Sequence, residues 1–181
     1  MNYYETITLK DGRECVLRNG TAEDAREVLR VFRLTHGQTD YLTSYPDEIT
    51  FTEEQEGKFL QGMTDSPDGI EIVAFIDGRA VGNAGIARIG RYEKTKHRAN
   101  FGVSVDKDYW GLGIGRALMR ACIECARKAG YSQVELEAVA ENDRAIALYR
   151  SFGFVECGRN PLGFRSRSGE WQEIVSMRLE F

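Results

Sequence analysis

Proline is scarce in this chain, with three residues in 181, and histidine is scarcer, with two. Three prolines against 19 glycines leave few candidates for a flexible linker, and no internal repeat or low-complexity segment interrupts the sequence. A length of 181 residues is that of one ordinary domain, so a single domain over residues 1–181 is expected. Long hydrophobic runs are missing too. The longest clean one, Ile72–Ile76, is five residues, whereas a membrane-spanning helix needs roughly 20. The first twenty residues alternate polar and apolar and hold no signal-peptide core. A soluble, cytoplasmic protein with no membrane partner is the expectation.

The four cysteines, Cys15, Cys122, Cys125 and Cys157, read as reduced thiols in such a compartment. They do not assemble a zinc set. Cys122 and Cys125 form a CxxC, but no second CxxC follows and His36 and His97 stand far apart. A redox CxxC opens a helix, where the dipole lowers the thiol pKa, whereas this pair falls inside one and reads as core packing. No metal is expected. An excess of positive charge is also lacking: 24 Lys and Arg face 28 Asp and Glu, for a net charge of -4 and a pI of about 5.4. That balance argues against a nucleic-acid partner.

The charge present is unevenly spread. Between Gly37 and Glu71 nine carboxylates (Asp40, Asp47, Glu48, Glu53, Glu54, Glu56, Asp65, Asp68, Glu71) meet one cation, Lys58. Between Arg88 and Arg98 five cations face only Glu93. Each run is either a solvated face or a field that selects a ligand.

Punctuation along the chain predicts a layered α/β fold. Thr6–Leu9 and Glu14–Arg18 flank an Asp-Gly hairpin turn. Thr21 reads as the cap of a helix carrying Ala25, Val28, Leu29 and Phe32 on one face. Residues 37–50 read as loop, broken by Pro46, and a second helix starts near Thr52 and ends before Pro67. Ile70–Ile76, Ala80–Ile89 and Ala99–Val105 read as strands. A glycine-rich segment then leads into a helix reaching about Ala129, and Gln133–Ala140 is the next strand. Asn142 opens a short helix to Phe152, and Phe154–Gly158 and Glu173–Leu179 close the series.

The strand running into Trp110-Gly111-Leu112-Gly113-Ile114-Gly115-Arg116 and then a helix is a device for holding an anion. Glycines let backbone approach closely, and the N–H groups at a helix start point at the ligand. A nucleoside-triphosphate loop needs Gly-Lys-Ser/Thr, and here Arg116-Ala117 follows Gly115. A dinucleotide fingerprint needs glycine where Arg116 stands, although Glu135 or Glu137 falls at the right distance for its acidic partner, so that alternative is weakened and not excluded. A glycine turn with no ligand is the remaining alternative.

The segment resembles the pyrophosphate signature Q/R-x-x-G-x-G/A of the GCN5-related N-acetyltransferase (GNAT) family, with Trp110 where Gln or Arg is usual. A second match supports it. Asn142-Asp143-Arg144-Ala145-Ile146-Ala147-Leu148-Tyr149, followed by Gly153-Phe154, is similar to the family's N-x-x-A-x-x-L-Y…G-F segment. The resemblance, over roughly residues 14–180, implies a mixed, mostly antiparallel central sheet of about seven strands flanked by about four helices. It implies acetyl transfer from acetyl-CoA, as co-substrate, to an amine on a small molecule or a protein. The amides of Gly111, Leu112, Gly113, Ile114, Gly115 and Arg116 would cradle the pyrophosphate. Val103, Ser104 and Val105 would pair with the pantetheine arm, with Asn142 and Ala145 beside it. Tyr149 would sit near the sulfur and protonate the departing thiolate. Homodimers are common among relatives.

An acceptor ammonium must lose a proton before attack. Many relatives place a carboxylate on the fourth strand, where this chain has Asn100. Glu137, His97 or a water chain from a backbone carbonyl are left as bases, and the sequence chooses none. A non-catalytic acyl-CoA-binding module on the same fold is the alternative function. The acidic run, bordering the acceptor side in the family, points to a cationic acceptor.

Overall fold

A computed structural model describes residues 1–181. Eight strands, one for each strand segment read from the sequence, form a single sheet: β1 (Tyr4–Thr8), β2 (Glu14–Asn19), β3 (Ile70–Ile76), β4 (Arg79–Arg88), β5 (Arg98–Val105), β6 (Gln133–Val139), β7 (Val155–Arg165) and β8 (Trp171–Glu180). The order across the sheet is β1-β2-β3-β4-β5-β6-β8-β7. Every pairing is antiparallel except β5 with β6. That one parallel pair needs a crossover, supplied by α3 (Ile114–Lys128). The other helices are α1 (Ala25–Gly37), α2 (Glu53–Asp65) and α4 (Asp143–Ser151). None is long and apolar enough to cross a membrane.

Local chemistry fixes several boundaries. Thr52 caps α2 by accepting from Gln55 N–H at 3.2 Å, while Gln55 Oε1 accepts from Thr52 N–H at 2.9 Å. This reciprocal box satisfies two donors the helix cannot. Asp77 and Gly78 both adopt positive φ, 50° and 76°, the two-residue turn that suits the twist of β3 and β4.

Strand β3 is buried along its whole length, because both of its faces are covered. Ile70, Ile72, Ala74 and Ile76 join α3 and α4 in a core of 30 residues, whereas Val73 and Phe75 pack against Ala25, Val28, Val31 and Leu60 of α1 and α2. Cys122 and Cys125 lie in the larger core, where burial pushes both thiols up. Leu118 of α3 is fully buried. Leu118→Ala should therefore cost about 2–5 kcal/mol, read as a lowered urea midpoint at unchanged m.

One defect in the sheet positions everything that follows. Strands β5 and β6 pair only over Arg98–Asn100 and Gln133–Glu135. Beyond Asn100 they separate, leaving a wedge through the sheet.

Candidate active site

The wedge opens into a cavity of about 1220 Å³ that is lined from both faces of the sheet. Asp106 N–H bonds to Val81 O, and Ile89 N–H to Arg98 O. In a regular antiparallel ladder this alternation directs the backbone of the even-numbered β5 residues to β4. The N–H and C=O groups of Phe101, Val103 and Val105 consequently face the wedge. Ser104 does not share that role: its backbone pairs with Asn83, and its hydroxyl donates to Asn83 Oδ1 at 2.8 Å. The Val105 carbonyl is taken by Trp110 Nε1 at 2.7 Å. Trp110, read from sequence only as a departure from the family pattern, fastens the glycine segment to the end of β5.

Gly113, with φ of 103°, caps α3. The first intrahelical bond runs from Ala117 N–H to Gly113 O, so the N–H groups of Ile114, Gly115 and Arg116 have no helical acceptor. The first turn holds no acidic side chain. A Cβ on Gly111 or Gly113 would meet nothing within 4 Å. Three free donors, a positive dipole end and open space in front of them form an anion cradle. The glycine segment itself sits beside the cavity, which Arg116 and Arg144 line; Arg144 stacks 4.8 Å above the Trp110 ring. The basic run 88–98 contributes nothing here. Lys96 pairs with Glu93, Arg98 with Glu135, and Arg88, Arg91, Lys94, Lys96 and His97 lie outside the lining.

Asn142, Ala145 and Tyr149 of the α4 segment all reach the cavity. Asn142 is also structural, since its Oδ1 caps α4 by accepting from Ala145 N–H at 3.2 Å. Tyr149 is buried between Phe101, edge-on at 6.4 Å, and Phe154 at 6.1 Å. Burial pushes its phenol up to about 12, so the hydroxyl stays protonated at any ordinary pH.

The opposite half holds a residue that the sequence reading counted only as part of a charge run. Glu71 of β3 pairs with Gly85, and Gly85 with Gly102 of β5, a single row across three strands. The Glu71 carboxyl lies over Gly85, where any Cβ would collide with Oε2. Gly102, next in the row, is open above its Cα. With strands about 4.8 Å apart, the row spans about 10 Å, of which the glutamate side chain covers roughly half. Glu71 Oε1 accepts from Asn83 Nδ2 at 2.6 Å. Asn83 is held in that orientation because its Oδ1 accepts from Ser104, itself 3.3 Å from Thr35 Oγ1. Oε2, over Gly85, has no hydrogen-bond partner in the protein, and Glu71 lines the cavity. Burial, with Glu56 adding like charge, raises Glu71 from 4.5 to about 7. A glutamate inside an otherwise apolar strand, with two glycines on the next strands, is the signal that could have found it.

His97, a candidate base from sequence, lies outside the lining, and the other carboxylates at the wedge fare differently from Glu71. Glu135 is gripped by Arg98 at 2.5 and 2.7 Å, which holds it below the usual carboxylate range. Glu137 lines the wedge 3.4 Å from Ser176 Oγ, and is exposed. Of the nine carboxylates in the acidic run, only Glu56 and Glu71 reach the cavity. Asp47 pairs with Arg167 at 2.7 Å, Glu54 with Lys58 at 2.6 Å, and Glu48 accepts from Tyr45 N–H at 2.7 Å. Arg167, in the β7–β8 hairpin, also stacks 4.0 Å over Tyr45. That contact ties the hairpin to the loop after α1, and both segments wall the cavity.

Residues 34–154 match the profile of the acetyltransferase (GNAT) family. The chain is 41% identical over 93 residues to the N-alpha-acetyltransferase RimI of Mycobacterium tuberculosis, a match covering 51% of this chain and 56% of that relative. It is 27% identical over 165 residues to the L-amino acid N-acetyltransferase AaaT of Escherichia coli, covering 91% and 96% of the two chains. An acetyltransferase of GNAT family from Streptococcus pneumoniae superposes with a TM-score of 0.88 at 26% identity, covering 92% of this chain and 99% of that one.

Proposed function

The chain belongs to the GNAT family of acetyltransferases, and from that premise we propose that residues 1–181, joined by one continuous sheet, act as a single-domain N-acetyltransferase that moves an acetyl group from acetyl-CoA to a primary amine. The observation that carries this reading is the wedge between β5 and β6, with an anion cradle at one end and Tyr149 and Glu71 on its two sides.

The residues present fit acetyl-CoA. The N–H groups of Ile114, Gly115 and Arg116 hold its pyrophosphate, with Arg116 and Arg144 adding positive charge. Phe101, Val103 and Val105 offer the backbone edge along which an amide-bearing arm pairs as an extra strand. Asn142 and Ala145 line the far wall. The co-substrate supplies an acetyl thioester; a nitrogen–carbon bond forms and the carbon–sulfur bond breaks. Glu71, ionised above about pH 7, takes a proton from the acceptor ammonium through water across the bare Gly85–Gly102 row. Tyr149 delivers its proton to the departing sulfur and is restored by the second proton that the nitrogen sheds as the amide forms. The net products are the N-acetyl amide, the free thiol and one proton.

Gly113 gives the test. Gly113→Asp and Gly113→Asn impose the same strain at positive φ, and differ in charge alone. Acetyl-CoA affinity in the aspartate variant should fall at least tenfold below that of the asparagine variant, about 1.4 kcal/mol by calorimetry. Equal affinities would remove the pyrophosphate from this cradle, and absence of acetyl-CoA binding by the parent protein would remove the activity.

A further inference from the structure

The charges facing the acceptor half of the cavity share one sign. Glu56 of α2 and Glu71 of β3 stand on one wall, and Glu137 lies at the wedge. Glu135 is neutralised by Arg98. His36 of α1 turns Nδ1 to Phe32 O at 2.7 Å, and burial pulls its ring below the usual histidine range, so it adds no charge. Arg33 spends its guanidinium on the carbonyls of Ile49 and Phe51. The two cations that do line the cavity, Arg116 and Arg144, belong to the cradle at the other end.

Apart from the Asn83–Ser104–Thr35 chain beside Glu71, aromatic and other apolar side chains share the walls around Glu56 and Glu71. Tyr41, Phe51 and Phe59 are 37%, 55% and 49% exposed, yet all three line the cavity, as do Phe32 of α1 and Met63 of α2. Exposed aromatic surface costs about 25 cal/mol for each Å² left in water, and three such rings converging on one concave space form the counterpart of a flat apolar ligand.

We propose, resting on the acetyl-transfer reading above, that the acceptor is an arylalkylamine-type amine: one ammonium, a flat apolar body and no carboxylate. The ammonium meets Glu71 with Glu56 behind it, and the body lies against Phe51 and Phe59. A carboxylate on the same carbon as the amine would be driven against Glu56 and Glu71 with no cation to receive it. A linear polyamine would leave the aromatic wall uncovered. This departs from the amino-acid acceptor named for the Escherichia coli relative.

The test is thiol release from acetyl-CoA with 2-phenylethylamine, phenylalaninamide, phenylalanine and spermidine, alongside calorimetry of acetyl-CoA binding. Like-charge juxtaposition costs several kcal/mol, so kcat/KM for the first two should exceed that for phenylalanine by about 100-fold. Phe59→Ala should raise KM for 2-phenylethylamine about tenfold while leaving acetyl-CoA binding unchanged. Glu56→Lys should move the phenylethylamine-to-phenylalanine preference at least about tenfold toward the amino acid. Fastest turnover with phenylalanine or spermidine overturns the inference and leaves the acetyl-transfer reading standing. Acetyl-CoA binding without thiol release from any amine overturns both.

Discussion

Replacing Glu71 with glutamine should lower kcat by about 10²–10⁴, the range a positioned general base supplies, while acetyl-CoA binding stays as it was. The pH profile separates this from a loss of structure. In the parent protein the active form of Glu71 is the carboxylate, so the rate should climb as pH rises through about 7; in the variant that limb should vanish. Glutamine keeps an oxygen for Asn83 Nδ2, and it removes a buried charge. The sign for stability follows from linkage. Between the ordinary glutamate value of 4.5 and about 7 the folded state binds the proton and the unfolded state does not, so Glu71 makes stability fall as pH rises through that window. Glu71→Gln should hence be as stable as the parent at pH 5 and more stable at pH 8, by thermal melts. A variant within threefold of the parent that retains the limb near pH 7 would pass the role to Glu137.

Local signals were legible in the sequence. The helix start near Thr52 and the strand Ile70–Ile76 depend on residues near one another in the chain, and the structure has them where the pattern puts them. Strand β7 runs to Arg165, well past the expected end at Gly158. Its register breaks between Asn160 and Phe164, around Pro161, and nearly all of it is exposed, so no alternation of burial was there to be read. The glycine segment and the α4 segment could be singled out from sequence because each is one contiguous stretch, and the structure sets both at the cavity or beside it. Glu71 did not, since Gly85 and Gly102 come beside it only through cross-strand register. The acidic run was legible only as a sum: composition counts nine carboxylates, and only folding shows that two of them, Glu56 and Glu71, line the cavity while others already have partners.

Tyr149 gives the last large effect. Tyr149→Phe should reduce kcat by about 10²–10⁴ if the phenol protonates the leaving sulfur. The hydroxyl makes no hydrogen bond within the protein, and the ring contacts with Phe101 and Phe154 survive in phenylalanine. Stability should therefore change by less than about 0.5 kcal/mol. With a pKa of about 12 the parent phenol holds its proton across the working range, so no falling limb should appear in the parent profile below pH 10. A purely structural role predicts the same loss with every thioester. A proton donor predicts something sharper: the defect should shrink when the acetyl group is carried by a more acidic thiol, whose thiolate leaves without help. A loss of equal size with both thioesters would take the acid role from Tyr149 and leave it as a wall of the wedge.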